Sequence, residues 1–235
     1  MKKGDIRKQE ILSTAENLFC RKGYENTSIQ DILDRLNTSK GSFYHHFVSK
    51  ESVLEGICRN RAAEVFLAVI PQINIYDDTL KRLNTLLTGM IPFSDEKISF
   101  LLMILRIFNL PEGRTVRQTY SDALSEQFRP TAEELIRTGH QEGIIYTEQP
   151  DLSAELVLII VNRLWIRIGE EIVSAENENR EPDITELLRI TDQYRLVIER
   201  TLSLPYGTAV LTDIPALQFM IRQVHNHWSN EPVNV

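Results

Sequence analysis

Residues 38–47 of this chain read TSKGSFYHHF. Ten positions gather one glycine, two adjacent histidines, three aromatics and three small hydroxyl residues, with no leucine or alanine. The composition is poor for a helix but rich in groups that meet phosphates and base edges. Lys40 and, just beyond, Lys50 offer charge, while Tyr44, His45 and His46 offer hydrogen-bond donors and flat faces. Gly41 and Ser42 keep the surface low, so that backbone can approach a polyanion. Phe43 and Phe47 stand at i and i+4, the spacing of an inward-facing pair on a helix.

The flanking sequence supplies elements to hold this stretch. A first helix is expected over about residues 6–22, with Ile11, Leu12, Ala15, Leu18 and Phe19 on one stripe and Gly23 as its stop. Thr27 and Gln30 have capping-box spacing, Asp31 puts negative charge in the first turn, and a short helix should run from Ser28 to Leu36. Asn37 tolerates a left-handed turn, and Ser39 is placed to cap a third helix. A fourth begins after Ser49 and runs to about residue 70 along Val53, Leu54, Ile57, Cys58, Ala62 and Val65. Two short helices joined by a tight turn and buttressed by a third form a helix-turn-helix, whose second helix lies in the DNA major groove. The start of the fourth helix would add amide donors for a phosphate.

The stretch TSIQDILDRLNTSKGSFYHHFVSKESVL resembles the DNA-binding signature of the TetR family of bacterial transcriptional regulators. The matching positions are Thr27, Ile29, Ile32, Ser39-Lys40-Gly41-Ser42, Phe43-Tyr44, His46-Phe47 and Ser49-Lys50-Glu51. Leu33, Leu36, Asn37 and Phe43 depart mildly from the family's commoner residues. The resemblance implies a homodimer on double-stranded DNA at a palindromic operator. By the same analogy Thr27, Tyr44 and Lys50 would grip phosphates, with Ser28 and Ser39 beside them. Lys40, Gly41, Ser42, His45 and His46 would lie nearest base edges. Most members are repressors, and the expected function is a repressor released by an unknown small-molecule effector. The alternative is a DNA-binding regulator whose body binds a protein partner instead.

The chain has 235 residues and a formal net charge of −7, which by itself argues against nucleic acid. Its distribution qualifies that: residues 1–60 hold ten Lys/Arg against eight Asp/Glu, so a mildly basic head precedes an acidic body. Lys2, Lys3, Arg7 and Lys8 fit either a solvated end or a tail along phosphates. Two cysteines, Cys20 and Cys58, are too few for a disulfide framework and lie on apolar stripes, as reduced buried thiols do. No secretory signal is visible, and the apolar runs 98–110 and 156–168 are interrupted by Arg106 and by Asn162, Arg163 and Arg167. A cytoplasmic protein without membrane association is expected. His45-His46 point about 100° apart on a helix, and neither they nor His225 and His227 have ligand spacing, so no metal is expected. No phosphate-cradling glycine loop, nucleophile elbow or zinc-protease helix appears. Neither an enzyme nor a cofactor is expected.

The fold class expected is all-α, with a three-helix N-terminal helix-turn-helix domain over residues 1–50 (the motif itself about 27–47) and a larger helical ligand-binding and dimerisation domain over 51–235. The helix at 49–70 would connect the two. Further helices are expected at about 77–90, 94–109, 112–128, 130–141, 151–178 and 183–203, with an extra amphipathic one at 215–228. The stretch ELVLIIVNRLWIRIGEEIV is apolar around most of its circumference, so it must bury one face in its own subunit and another elsewhere. Leu156, Ile160 and Leu164, with Leu187, Tyr194 and Ile198 of the next helix, are the candidates for a dimer interface. Phe66, Met103, Tyr120 and Trp165 are candidates for an effector pocket.

Overall fold

The computed structural model describes residues 3–90 and 98–229. Lys2, Pro92 and the expected helix residues 94–97 lie outside them. Ten helices are described, with no strand among the described residues: α1 (Lys3–Lys22), α2 (Ile29–Leu36), α3 (Lys40–Tyr44), α4 (Lys50–Ile73), α5 (Thr79–Gly89), α6 (Ile98–Arg106), α7 (Pro111–Gln141), α8 (Pro150–Asn177), α9 (Ile184–Thr201) and α10 (Ile214–Ser229). The chain is all-helical.

Local chemistry sets the boundaries of the first four. α1 stops at Gly23, whose φ of 84° only glycine adopts readily. α2 is capped one residue later than the sequence indicates. Ser28 accepts from the Asp31 amide, and the Asp31 carboxylate accepts from the Ser28 amide, closing the capping box. Thr27 is 1% exposed, and its hydroxyl donates to Gly23 O at 2.8 Å and Leu18 O at 3.4 Å. That hydroxyl is turned back to tie down the end of α1, and the Ser28 hydroxyl is the one that accepts the Asp31 amide of α2. Asn37 closes α2 in the left-handed conformation, φ 48°. Ser39 then caps α3 by accepting from the Ser42 amide, and Ser49 caps α4 in a box with Ser52.

Prolines proved less disruptive than their positions imply. α4 carries Pro71 inside its last turn and ends at Ile73. The expected pair of helices at 112–128 and 130–141 is one helix, α7, running through Pro130. Leu124 and Phe128 before the proline, and Ala132 and Leu135 after it, enter the same core. Burial on both sides outweighs the one backbone bond a proline removes.

Two apolar cores result. Ile11, Leu12, Ala15 and Phe19 of α1, Ile32 and Leu33 of α2, Phe43 and Phe47, and Val53, Leu54 and Ile57 of α4 form the first. It also takes Phe100, Met103 and Ile107 from the α6 region and Val116 from α7, so apolar packing crosses residue 50. The second core joins the later half of α4 with α5, α7, α8, α9 and α10. α4 therefore serves both, packing on α1, α5 and α7.

Phe43 is 0% exposed and fills the space beneath α3. Phe43→Ala should destabilise the fold by about 3–5 kcal/mol, measurable as a lower urea midpoint with an unchanged slope.

Candidate nucleic-acid interface

α3 has five residues, fewer than an isolated helix needs to form. It is held by its Ser39 cap and by Phe43, whose ring lies 6.1 Å from that of Phe47 beneath it. With Phe43 and Phe47 turned inward, the remaining side chains face out. Lys40, Gly41, Tyr44 and His45 are exposed, as are Ser39 before α3 and Ser28 before α2; Ser42, His46 and Lys50 are half-buried. Tyr44 is 51% exposed, its ring meeting Phe43 only edge-on. Of the ten residues singled out from the sequence, nine thus reach the surface around α3; Thr27 is the buried one.

Gly41 is informative because the protein itself does not require it. Its φ is ordinary, and a Cβ added there would find only Ser39 Oγ, 3.9 Å away. Open space beside a glycine on a surface helix fits close approach by something outside the chain.

Lys50 is less free than its sequence position implies. Its ammonium donates to Tyr24 O at 3.0 Å and lies 4.1 Å from the Tyr24 ring centroid. The Tyr24 hydroxyl donates to Glu51 at 3.2 Å. Hydrogen bonds from Ser49 and from its own amide hold the Glu51 carboxyl below the usual range, at the first turn of α4. On the opposite flank Lys22 donates to Asp31 at 2.7 Å.

Behind this surface, Arg61 of α4 donates to Glu16 of α1 at 2.6 Å and packs 5.6 Å from the Phe100 ring of α6. Burial pushes the Glu16 carboxyl up, against the pull of Arg61. Cys20 donates weakly to Ser99 O, and burial pushes its thiol up to about 11 and that of Cys58 to about 12. Both cysteines are free.

The body holds a cavity of about 90 Å³ between α6, α7 and α8. Tyr120 and Trp165 line it, with Leu101, Leu105, Phe108 and Arg117. The other two pocket candidates do not. Met103 points from the opposite side of α6 into the first core, and Phe66 packs edge-on against Phe128 at 5.2 Å. Arg117 and Asn162 were missed because a polar residue on an amphipathic helix carries no mark of facing a cavity.

The interface candidates divide similarly. Leu156 is 41% exposed, and Ile160 and Tyr194 are half-buried. Leu164, Leu187 and Ile198 are 0% exposed within the single chain, so they cannot form a surface between subunits. The exposed apolar residues on the same helices are Leu152, Leu156 and Ile159 of α8 and Val197 of α9. An apolar run on a helix does not reveal in advance which stripe faces home.

An all-helical chain with two capped helices, a left-handed Asn turn and a short second helix pinned from beneath is a helix-turn-helix protein. Residues 11–57 match the family described as "Bacterial regulatory proteins, tetR family". The chain is similar to the HTH-type transcriptional repressor KstR2 of Mycobacterium tuberculosis, 26% identical over 166 residues, 69% of this chain and 80% of that one. It is also similar to the uncharacterised HTH-type regulator YerO of Bacillus subtilis, 31% identical over 177 residues, 72% of this chain and 60% of that one. A TetR-family regulator from Pectobacterium atrosepticum shares the fold, with a TM-score of 0.61 at 20% identity over 86% of this chain and 97% of that one. Residues 11–57 are a TetR-family DNA-binding domain by sequence, most of the chain shares the fold of that regulator, and the chain is a DNA-binding transcriptional regulator. No described helix is long and apolar enough to cross a membrane.

The Lys22 and Ser28 hydrogen bonds hold the Asp31 carboxyl well below the usual carboxylate range. A depressed folded-state pKa stabilises above the unfolded value, near 4, and that contribution is lost as pH falls towards the folded value. Urea midpoints at pH 7 and pH 3 should therefore differ less for Asp31→Asn than for the wild type.

Proposed function

We propose that the chain is a homodimeric repressor whose α3 surface reads a palindromic operator and is released when a small molecule fills the body cavity. The observation that carries this reading is the double role of α6. Leu101, Ile104 and Leu105 face the cavity, while Phe100, Met103 and the adjoining Ile107 belong to the core beneath the DNA-binding helices. A ligand that displaces α6 must move a wall of that core or strain it. Arg61, bound to Glu16 and packed on Phe100, ties α4 into the same movement. No glycine-serine linker separates Ser49 from the body to absorb it. Two heads related by a two-fold axis bind successive half-sites about 34–36 Å apart, so a tilt of α4 would spoil their register. A tenfold loss of operator affinity needs only about 1.4 kcal/mol of coupling. A small, mostly apolar pocket between helices fits a small molecule better than a protein partner, which would need a broad surface.

In this reading Lys40, Gly41, Ser42, His45 and His46 lie nearest base edges, and Ser28, Ser39, Tyr44 and Lys50 sit beside phosphates. Thr27 acts from within, fixing the approach to α2. Residues 1–50 would form the DNA-binding unit and 51–235 the sensing and dimerising unit, with α4 as connector. The α8 stripe Leu152, Leu156 and Ile159, extended by Ile160, Tyr194 and Val197, would meet its two-fold copy. Such a face on a solitary subunit would be an exposed apolar patch.

Genomic footprinting tests the reading as a whole. Paired half-sites upstream of a few genes support it, and uniform, sequence-independent retention contradicts it. Tyr44→Ala and Lys40→Ala should leave stability within about 0.5 kcal/mol while weakening binding to a footprinted fragment. The loss should appear as weaker affinity at fixed salt concentration; unaltered affinity in both variants would refute the docking. Leu156→Glu with Ile159→Glu should convert a dimer to a folded monomer in light scattering, since both side chains are already outside the core.

A further inference from the structure

The α6–α7–α8 cavity has one charged side chain on its wall, among apolar residues and the neutral polar Tyr120, Ser121 and Asn162, whose amide already donates to Ser121 O and Ser125 Oγ. Arg117 of α7 is half-buried at its wall, with its guanidinium 4.2 Å from the Phe108 ring centroid and donating to Phe108 O. A guanidinium has five N–H donors in a planar fork. No carboxylate among the described residues forms an ion pair with this one. Glu170 is the acidic group that bears on it, and both of its oxygens are occupied, by Arg163 at 3.2 Å and Arg167 at 2.7 Å. Arg114 and Arg163 add further positive charge. Beyond residue 60 the chain holds 16 Lys/Arg against 25 Asp/Glu, so this excess of cations stands on an otherwise acidic body.

We propose that the cavity binds a compact monocarboxylate, its hydrocarbon part among Leu101, Leu105, Trp165 and Met220 and its carboxylate on the Arg117 fork. The assignment rests on the small-molecule reading above and adds the chemical class of the ligand.

Charge, geometry and size agree on that class. A cation would meet the Arg117 guanidinium, with the charges of Arg114 and Arg163 nearby and the Glu170 carboxylate already shared. A neutral hydrocarbon would fill the chamber but leave the guanidinium partly desolvated without a counter-charge, which costs more than a hydrogen-bonded charge pair. A single carboxylate matches a guanidinium with two parallel hydrogen bonds. A phosphate ester brings more charge and more acceptors than one unpaired guanidinium serves. The cavity volume of about 90 Å³ is below the roughly 150 Å³ that holds a benzene ring, so the hydrocarbon part is short or branched. Met90 and Met220, both on the wall, are unbranched and can repack around it.

The test uses three probes with one carbon skeleton: 3-methylbutanoate, 3-methylbutanamide and 3-methylbutylammonium. Each is titrated into the full chain by calorimetry, with the Trp165 indole N–H shift as the reporter that binding is in the cavity. The carboxylate should bind at least tenfold more tightly than the amide, and the ammonium more weakly than either. Arg117→Met should remove the preference for the carboxylate, and Arg117→Lys, which keeps the charge but not the fork, should retain part of it. If Arg117→Met unfolds, the wild-type comparison of the three probes decides alone. An amide as tight as the carboxylate, or Arg117→Met without effect, overturns the carboxylate assignment and leaves the small-molecule reading standing. No response to any of the three overturns both.

Discussion

A five-residue helix cannot hold itself. α3 lacks the length to offset the cost of nucleation, and its sequence of Lys, Gly, Ser, Phe and Tyr adds little propensity. Its shape depends on one constraint, the burial of Phe43 and Phe47 against α1 and α4, with Ser39 satisfying the first free amide. Everything proposed for the outer face follows from that. Once the two phenylalanines are fixed inward, Lys40, Gly41, Tyr44 and His45 have no alternative to solvent, and the face is free to be composed for contact and not for stability.

The same core reaches further than its sequence position indicates. α6 lies more than forty residues beyond the start of α4, yet it closes the bottom of the DNA-binding unit with Phe100, Met103 and the adjoining Ile107. Its other face belongs to the cavity. Close-packed interiors transmit displacement because they have few voids in which to lose it, so a helix packed on both sides is a mechanical link. The Glu16–Arg61 pair adds a polar tie between α1 and α4 at that junction. Its mutual attraction is opposed by desolvation, and its value lies in fixing geometry more than in stabilising the fold.

Most of the DNA-binding unit was legible in the sequence because its determinants are local. The Ser39 cap, the left-handed Asn37, the Phe43–Phe47 pair and the start of α4 after Ser49 each depend on partners no more than four residues away and appear as expected. The one local error, Thr27 for Ser28 as the α2 cap, is a shift of one residue: Thr27 is buried and turned back towards Gly23 O and Leu18 O, and the Ser28 hydroxyl accepts the Asp31 amide. In the body, local signals gave helix type and approximate position but not orientation. Pro130 looked like a boundary until burial on both sides carried α7 through it. Leu164, Leu187 and Ile198 are indistinguishable by type from Leu156 and Ile159, and only packing separates core from surface. Met103 and Arg117 show the same limit at the cavity: which side of a helix faces a void is a tertiary fact.

The central claim is that the surface built on Phe43 and Phe47 is where this chain meets DNA. Amide hydrogen exchange of the full chain, alone and with a genomic fragment that it retains, tests this most directly. The account predicts added protection at residues 39–46 and at the start of α4, with none on the exposed faces of α5 and α10. Unchanged exchange across residues 39–46 in a demonstrably bound sample would contradict it.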